Sequence, residues 1–385
     1  MGDRAPLVML SAGEASGDQH AASLFRALKE IIPGVRGIGM GGAAMKEAGI
    51  DIRFDSSGIG VIGLAEIARH YGEIRGALSL MRDLAREQRP DLLICVDYKE
   101  FNFRLAKAAK ALGIKVLFYV SPQVWAWRQG RVKTYGRNID HMAVIFPFEL
   151  PFYEAHGVPA TYVGHPLAGK VRATVARDVT LARLGISAQD LPLIGILPGS
   201  RSNELARLLP TLLSAAARLK ITHPQAQFVV FKAPTLDRAS LIQAATERGL
   251  KLHILEGQDY DVLHTCDAVM TVSGTATLEV ALLGVPMVIV YRLASLSYWI
   301  GRLLIKVPFI GLPNILRGKG VVREFIQDEA TPENIAGEIQ KIVDDAEYQA
   351  TMRKELAAVR ETLGHLEGSI ELARLAARMI QEHSA

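Results

Sequence analysis

The apolar run 92-LLICV-96 ends in a carboxylate, Asp97, within 96-VDYKEFN-102. A carboxylate delivered to the carboxyl end of a strand is placed to take a proton as a general base. The plainer reading is a helix N-cap, a role that Glu100 or Asn102 would fill equally. Two other loops carry hydrogen-bond donors. In 197-LPGSRSNE-204, Gly199 lets the backbone approach a phosphate, Ser200 and Arg201 add donors, and Glu204 follows at the start of a helix. In 272-VSGTATLEVALLGVP-286 the hydroxyls of Ser273, Thr275 and Thr277, with Gly274 and Ala276 among them, suit a diphosphate, and Glu279 suits ribose hydroxyls. Two donor-rich loops in one half of the chain make a stronger case than either alone. There is no G-x-x-x-x-G-K-[ST], which disfavours P-loop hydrolysis of ATP.

Three further stretches carry chemistry or its imitation. In 11-SAGEASGDQH-20, Gly13 and Gly17 with Ser16 form a flexible loop opening a helix. Its N–H groups suit an anion or a sugar, and Glu14 and Asp18 exceed what a cap needs; the alternative is an ordinary strand-to-helix turn. Gly37, Gly39 and Gly42 spell G-x-G-x-x-G, but after a weak strand in the second βα unit, so tight packing is the expected reason for them. The stretch 117-LFYVSPQVWAWRQGR-131 sets Trp125 and Trp127 beside Arg128 and Arg131, either to line a site or to brace a domain.

The elements that must position these residues follow from the apolar runs. Strands are expected at Leu7–Ala12, Leu92–Val96, Lys115–Val120 and His141–Ile145, closing at 161-TYVGHPLAG-169, with helices over His20–Glu30 and Phe103–Leu112. The pattern restarts with strands at Leu193–Leu197, Gln227–Phe231, Leu252–Leu255, Ala268–Thr271 and Met287–Tyr291. Continuous apolar strands alternating with helices imply parallel sheets covered on both faces. The expected fold is therefore α/β, two doubly wound domains facing a cleft, with ligands at the strands' carboxyl ends. Boundaries are expected at 1–168 and 169–355, with a linker within 166–192. Helices in 356–385 are expected to pack back on the first domain or on a partner chain.

Composition narrows the class. The 385 residues are too many for one small domain, and a net charge of +4 suits an anionic substrate or an anionic membrane surface. The basic runs of a dedicated nucleic-acid binder are absent. Cys95 and Cys266 have no metal-ligand spacing and read as buried thiols of a reducing compartment. No metal site and no cofactor is expected. The opening MGDRAPLVMLSAG has too short an apolar run for a signal peptide, and Pro6 breaks a myristoylation motif. Leu64, Ile67, Tyr71, Ile74, Leu78 and Met81 recur three or four residues apart beside Arg69, Arg75 and Arg82. Such a stripe either packs on its own domain or lies on a membrane. The same choice applies to 298-YWIGRLLIKVPFIGLPN-314, with Trp299, Arg302, Lys306 and Phe309.

Taken in order, SAGEASGD, VDYKEFN, YVSPQVWAWR, FPFE with Phe152 and Tyr153, VGHPL, LPGSR and SGTATLE closely resemble the lipid-A-disaccharide synthase family over nearly the whole chain. The resemblance implies two Rossmann-like domains of the GT-B plan. It implies an inverting transfer that joins UDP-2,3-diacylglucosamine to 2,3-diacylglucosamine 1-phosphate, releasing UDP and a β-1,6-linked disaccharide, without a metal. UDP would meet Gly199–Arg201, Glu204, Ser273–Glu279 and Asn314, and Asp97 would be the general base. Gly13, Glu14, Ser16, Gly17, Asp18, Trp127 and Arg128 would face the acceptor. Leu64, Ile67, Tyr71 and Ile74 would touch the cytoplasmic face of the inner membrane, and a homodimer with exchanged C-terminal segments is plausible. Lys99-Glu100 stands where the family more often has Pro-Asp. A UDP-sugar 2-epimerase and a non-catalytic glycolipid carrier are the competing readings.

Overall fold

The computed structural model of the chain describes residues 4–58, 64–127, 129–187, 189–292 and 308–384. Arg128, Trp299, Arg302 and Lys306 lie outside the described residues, as do the side chains of Leu64, Ile67, Arg69 and Trp127. The chain divides into two units, residues 1–166 with 365–385, and residues 167–364.

The first unit is built on a parallel sheet of seven strands: β1 (Leu7–Ala12), β2 (Arg36–Gly41), β3 (Ile50–Asp55), β4 (Leu92–Val96), β5 (Lys115–Tyr119), β6 (His141–Val144) and β7 (Ala160–Tyr162). Its strand order is β3-β2-β1-β4-β5-β6-β7. The apolar runs are continuous because both faces are covered. Leu7, Met9, Leu93 and Cys95 join one core with Met81 of helix Leu64–Gln88 and Leu105 of helix Lys99–Ala111. Val8, Leu10 and Ile94 join the other, with Phe25 of helix Ala15–Ile31 and Leu372 and Met379 of helix Gly368–Ser384. β1 and β4 are neighbours although two strands intervene in sequence, so their exit loops part at a switch point, where open α/β sheets bind ligands.

The second unit has six parallel strands: β8 (Leu193–Leu197), β9 (Gln227–Lys232), β10 (Leu252–Glu256), β11 (Ala268–Val272), β12 (Met287–Tyr291) and β13 (Arg323–Ile326), in the order β10-β9-β8-β11-β12-β13. β8 pairs with β11 through Leu197 and Thr271. That register sets the loop after Leu197 beside the loop after Val272.

Several expectations need correction. Residue 355 is not a boundary: helix Ala346–Leu363 is continuous and buries Met352, Leu356 and Val359 in the second unit. Arg360 fastens it there, donating to the carbonyls of Leu282 at 2.9 Å and Val171 at 3.1 Å. The expected linker is mostly folded. It contains helix Arg177–Leu184, and Asp261 accepts the N–H groups of Thr174 at 2.6 Å and Val175 at 3.0 Å. The G-x-G-x-x-G stretch is packing, as expected. A Cβ on Gly39 would stand 1.9 Å from the Leu10 carbonyl oxygen, so β1 and β2 could not approach as they do. The stripe of helix Leu64–Gln88 divides: Leu78 and Met81 are core, and Ile74, partly buried, packs against that core. Tyr71 is 56% exposed. Among the described residues no helix is long and apolar enough to cross a membrane.

Candidate functional site

In the second unit the exits of β8 and β11 enclose a cavity of about 420 Å³. Gly199, Ser200, Arg201, Glu204, Ser273, Gly274, Thr275, Ala276 and Glu279 line it, as their sequence positions imply. Gly199 turns with φ +99°, a conformation glycine adopts without strain. Helices Ser202–Thr222 and Thr275–Leu282 both begin at the cavity, so two sets of unpaired N–H groups and two positive dipole ends meet there. Arg201 stands at the N-cap position of the first helix without a side-chain capping bond, is well exposed and touches Glu204 at 3.1 Å. This is an arrangement suited to a diphosphate.

Two expected members sit elsewhere. Thr277 is fully buried and its hydroxyl donates to the Gly274 carbonyl at 2.8 Å. Asn314 is fully buried and faces its own unit. It donates to Val322 O at 2.9 Å and Glu324 at 2.7 Å, and accepts the N–H groups of Val321 and Val322. Glu324 in turn accepts from Ile310 and Gly311, and the Ile310 carbonyl accepts the Ser273 hydroxyl at 3.1 Å. Asn314 therefore supports the Ser273 loop from behind.

The opposite wall was not anticipated: Phe231 and Lys232 end β9, Ala233 and Pro234 follow it, and Gly257 and Gln258 follow β10. Their signal was position at the carboxyl ends of strands in the same sheet. Gln258 donates to Glu279, and so does the Tyr260 hydroxyl at 2.9 Å. Burial raises the Glu279 pKa against these bonds. Lys232 is neutralised by Glu256 at 2.9 Å.

In the first unit the exits of β1, β4 and β5 converge. Asp97 and Tyr98 adopt φ +47° and +44°, and Val120 φ +64°. Left-handed conformations cost non-glycine residues about 1–3 kcal/mol each and gather at functional sites. Burial raises the Asp97 pKa, while Lys99 and the Tyr98 N–H oppose the rise. A raised pKa strengthens a carboxylate as a base. The Tyr98 ring lies over Gly13, where a Cβ would stand 2.3 Å from it. Burial and then Glu14 raise the Tyr98 pKa. Glu14 occupies the N-cap position of helix Ala15–Ile31 without a capping bond, and both Glu14 and Ser16 are exposed. Gly17 is buried against Ala12 and Val96. The carboxylate of Asp18 is committed to the backbone. It accepts the N–H groups of Gly42 at 2.7 Å, Ala44 at 3.0 Å and Met45 at 3.1 Å, starting helix Ala43–Glu47.

Asn102 does not cap its helix but clamps this tip. Fully buried, it donates to the carbonyls of Ser11 at 3.2 Å, Val96 at 3.2 Å and Asp97 at 2.8 Å, and accepts the Ser11 hydroxyl at 2.6 Å. Asn102→Ala is expected to lower unfolding free energy by about 1–3 kcal/mol, read from the denaturant midpoint, because buried partners lose their bonds.

Trp125 is a brace. It is 8% exposed, donates to Glu149 at 3.1 Å and meets the Phe148 ring edge-on at 4.8 Å. Arg131 pairs with Glu100 at 2.9 Å beside a cavity of about 160 Å³ that Phe103, Thr134 and Tyr135 also line. Cys95 and Cys266 are free and buried, and burial pushes both thiols up. Among the described residues no three His, Cys, Asp or Glu side chains gather as metal ligands would.

The fold matches a solved glycosyltransferase of kitacinnamycin with TM-score 0.64 at 17% identity, over 98% of this chain and 100% of that one. It also matches UDP-GlcNAc 2-epimerase from Neisseria meningitidis bound to UDP-GlcNAc, with TM-score 0.61 at 12% identity, over 98% and 100%. The architecture is therefore the two-domain parallel α/β plan, GT-B, found in glycosyltransferases and sugar-nucleotide epimerases. The lipid-A-disaccharide synthetase family model matches residues 8–377. The lipid-A-disaccharide synthase of Nitrosococcus oceani is 50% identical over 364 residues, covering 94% of each chain. The chain belongs to the lipid-A-disaccharide synthase family and is a glycosyltransferase of lipid A biosynthesis.

Proposed function

We propose that the chain condenses UDP-2,3-diacylglucosamine with 2,3-diacylglucosamine 1-phosphate, with inversion, to give the β-1,6-linked disaccharide 1-phosphate and UDP. The observation that carries this reading is the cavity at the β8–β11 switch point, where two helix starts and Arg201 converge, in a chain of this family. The diphosphate lies against Gly199–Arg201 and the N–H groups at Gly274–Ala276, and Glu279 takes the ribose hydroxyls. The acceptor's 6-hydroxyl attacks the anomeric carbon as the bond to the diphosphate breaks. Asp97 accepts the hydroxyl proton, and Arg201 with the helix starts offsets the charge growing on UDP. Charge on the leaving group is thus met by protein donors, and no cofactor or metal is required.

The acceptor lies along Gly13, Glu14 and Ser16, with Trp127 and Arg128 at its rim and Arg131 exchanging Glu100 for the acceptor's phosphate. Its acyl chains remain in the cytoplasmic leaflet of the inner membrane. Tyr71, Leu64 and Ile67 meet that anionic surface, so the protein is expected to sediment with anionic vesicles and not with neutral ones. A homodimer exchanging the helix Gly368–Ser384 is part of this proposal; a one-chain mass by light scattering would remove it.

The test is UDP release from UDP-2,3-diacylglucosamine, with and without 2,3-diacylglucosamine 1-phosphate, in the presence of EDTA. Release that depends on the acceptor supports the reading. Turnover of UDP-N-acetylglucosamine alone would replace it with epimerisation.

A further inference from the structure

We propose that Glu149 is a positioning residue for the transfer, holding the exit of β5 in the conformation that supports Asp97. Glu149 begins helix Glu149–Glu154 and is only 2% exposed. One carboxylate oxygen accepts the Ser121 hydroxyl and the Trp125 indole N–H at 3.1 Å, and the other accepts the Phe146 N–H at 3.0 Å. A buried carboxylate without a cationic partner is costly, and three donors compensate for it.

Ser121 and Trp125 belong to the segment leaving β5. Between that segment and the strand stands Val120 at φ +64°, an unfavourable place for a β-branched side chain. Such a conformation persists only where its surroundings over-determine it. The residue before it, Tyr119, accepts the Asp97 N–H at 3.0 Å. A continuous path therefore runs from Glu149 through Ser121, Val120 and the Tyr119 carbonyl to the backbone of the base. When Glu149 loses its acceptor capacity, Val120 can relax, and the Tyr119 carbonyl and Asp97 shift with it.

Burial lifts the Glu149 pKa to about 6, while hydrogen bonds from Ser121, Phe146, Trp125 and Ile145 oppose the rise. The ionised group can receive all three donors at once. A proton on the oxygen shared by Ser121 and Trp125 leaves that oxygen one lone pair, so it can no longer accept from both. The titratable groups around it are Tyr153 on the same helix, Tyr135 beyond Tyr153, and His165, which packs on the Phe146 ring at 5.0 Å. Burial, with His20 nearby, holds His165 down to about 4, so it stays neutral while Glu149 titrates.

This role presupposes Asp97 as the base, and the experiment separates the two. Turnover of Glu149→Gln, Glu149→Asp, Ser121→Ala and Asp97→Ala is measured against pH, with KM for the UDP-sugar. Glu149→Gln is expected to lose about 10²-fold in kcat with KM unchanged, the cost of a small misplacement of a reacting group. Glu149→Asp should recover part of the loss, and Ser121→Ala should fall in the same direction by less. At pH values below the pKa of both carboxylates, log kcat of the unaltered chain should approach a slope of two, since both must be ionised. Glu149→Gln should approach a slope of one. A kcat and slope for Glu149→Gln equal to those of the unaltered chain would overturn the proposal. If that variant does not fold, unchanged kcat in Ser121→Ala overturns it. Undiminished turnover in Asp97→Ala would instead overturn the base assignment, leaving any Glu149 effect without its route.

Discussion

Replacing Asp97 with Ala is expected to lower acceptor-dependent UDP release by about 10²–10⁴-fold, the range for losing a positioned general base. UDP binding should be unchanged, because the cavity that receives it is built wholly from second-unit residues. The rate should also depend on pH through this group. Burial raises the Asp97 pKa, so the active, ionised form fills only as pH rises through a value above the usual carboxylate range. The stability effect has the opposite sense. A carboxyl with a raised folded pKa favours folding below its unfolded pKa and loses that contribution as pH rises through the folded one. Asp97→Asn removes the charge and suits the left-handed backbone at φ +47°. It should therefore melt at a higher temperature than the unaltered chain at neutral pH, with the difference shrinking on acidification. An inactive variant with a raised melting temperature is what a strained, buried base predicts; an inactive variant with a lowered one points to a structural residue.

Arg201→Ala is expected to cost about 10²–10³-fold in kcat/KM, the scale for removing one donor aimed at developing charge. Its side chain is 81% exposed and its partner in the structure is Glu204, three residues on. An exposed pair of this kind is worth about 0–1 kcal/mol, so the denaturant midpoint should barely move. Activity and stability therefore separate for Arg201, whereas Asn102→Ala is read in stability. Arg201→Lys should recover part of the rate, because an ammonium keeps the charge but not the two-pronged contact with a phosphate. A small effect on kcat/KM would mean that the two helix starts carry the diphosphate alone.

β1, β4, β8 and β12 were legible to the residue because burial on both faces leaves runs of almost wholly apolar side chains, Ser11 of β1 being the polar exception. β3 and β13 were not. Each is an edge strand: Ile50–Asp55 alternates buried with exposed, and Arg323–Ile326 has four residues, two of them charged. The helices Ala15–Ile31 and Lys99–Ala111 begin before their apolar periodicity does, in small or polar residues. At the site, glycines and strand tips were readable because their positions follow from the elements. Asp18, Thr277 and Asn314 were expected to face ligand, and each is bonded within the protein instead of lining the cavity walls. A polar residue near a loop looks the same whether it meets a substrate or a backbone N–H from a distant segment, as Asp18 meets Met45. Glu149 escaped notice for the same reason: its partner Ser121 is 28 positions away.

The helix Gly368–Ser384 contributes Leu372, Ala373, Ala376 and Met379 to the core beside β4 and β5, yet it is encoded beyond the whole second unit. During synthesis the first sheet is assembled early, and the apolar face that this helix covers stays wet until residues 167–364 have been made. The second unit can mature on its own timetable, whereas the first must wait in a half-covered state that invites chaperones or a neighbouring nascent copy. Shortening the chain at residue 364 would therefore injure the half farthest from the cut.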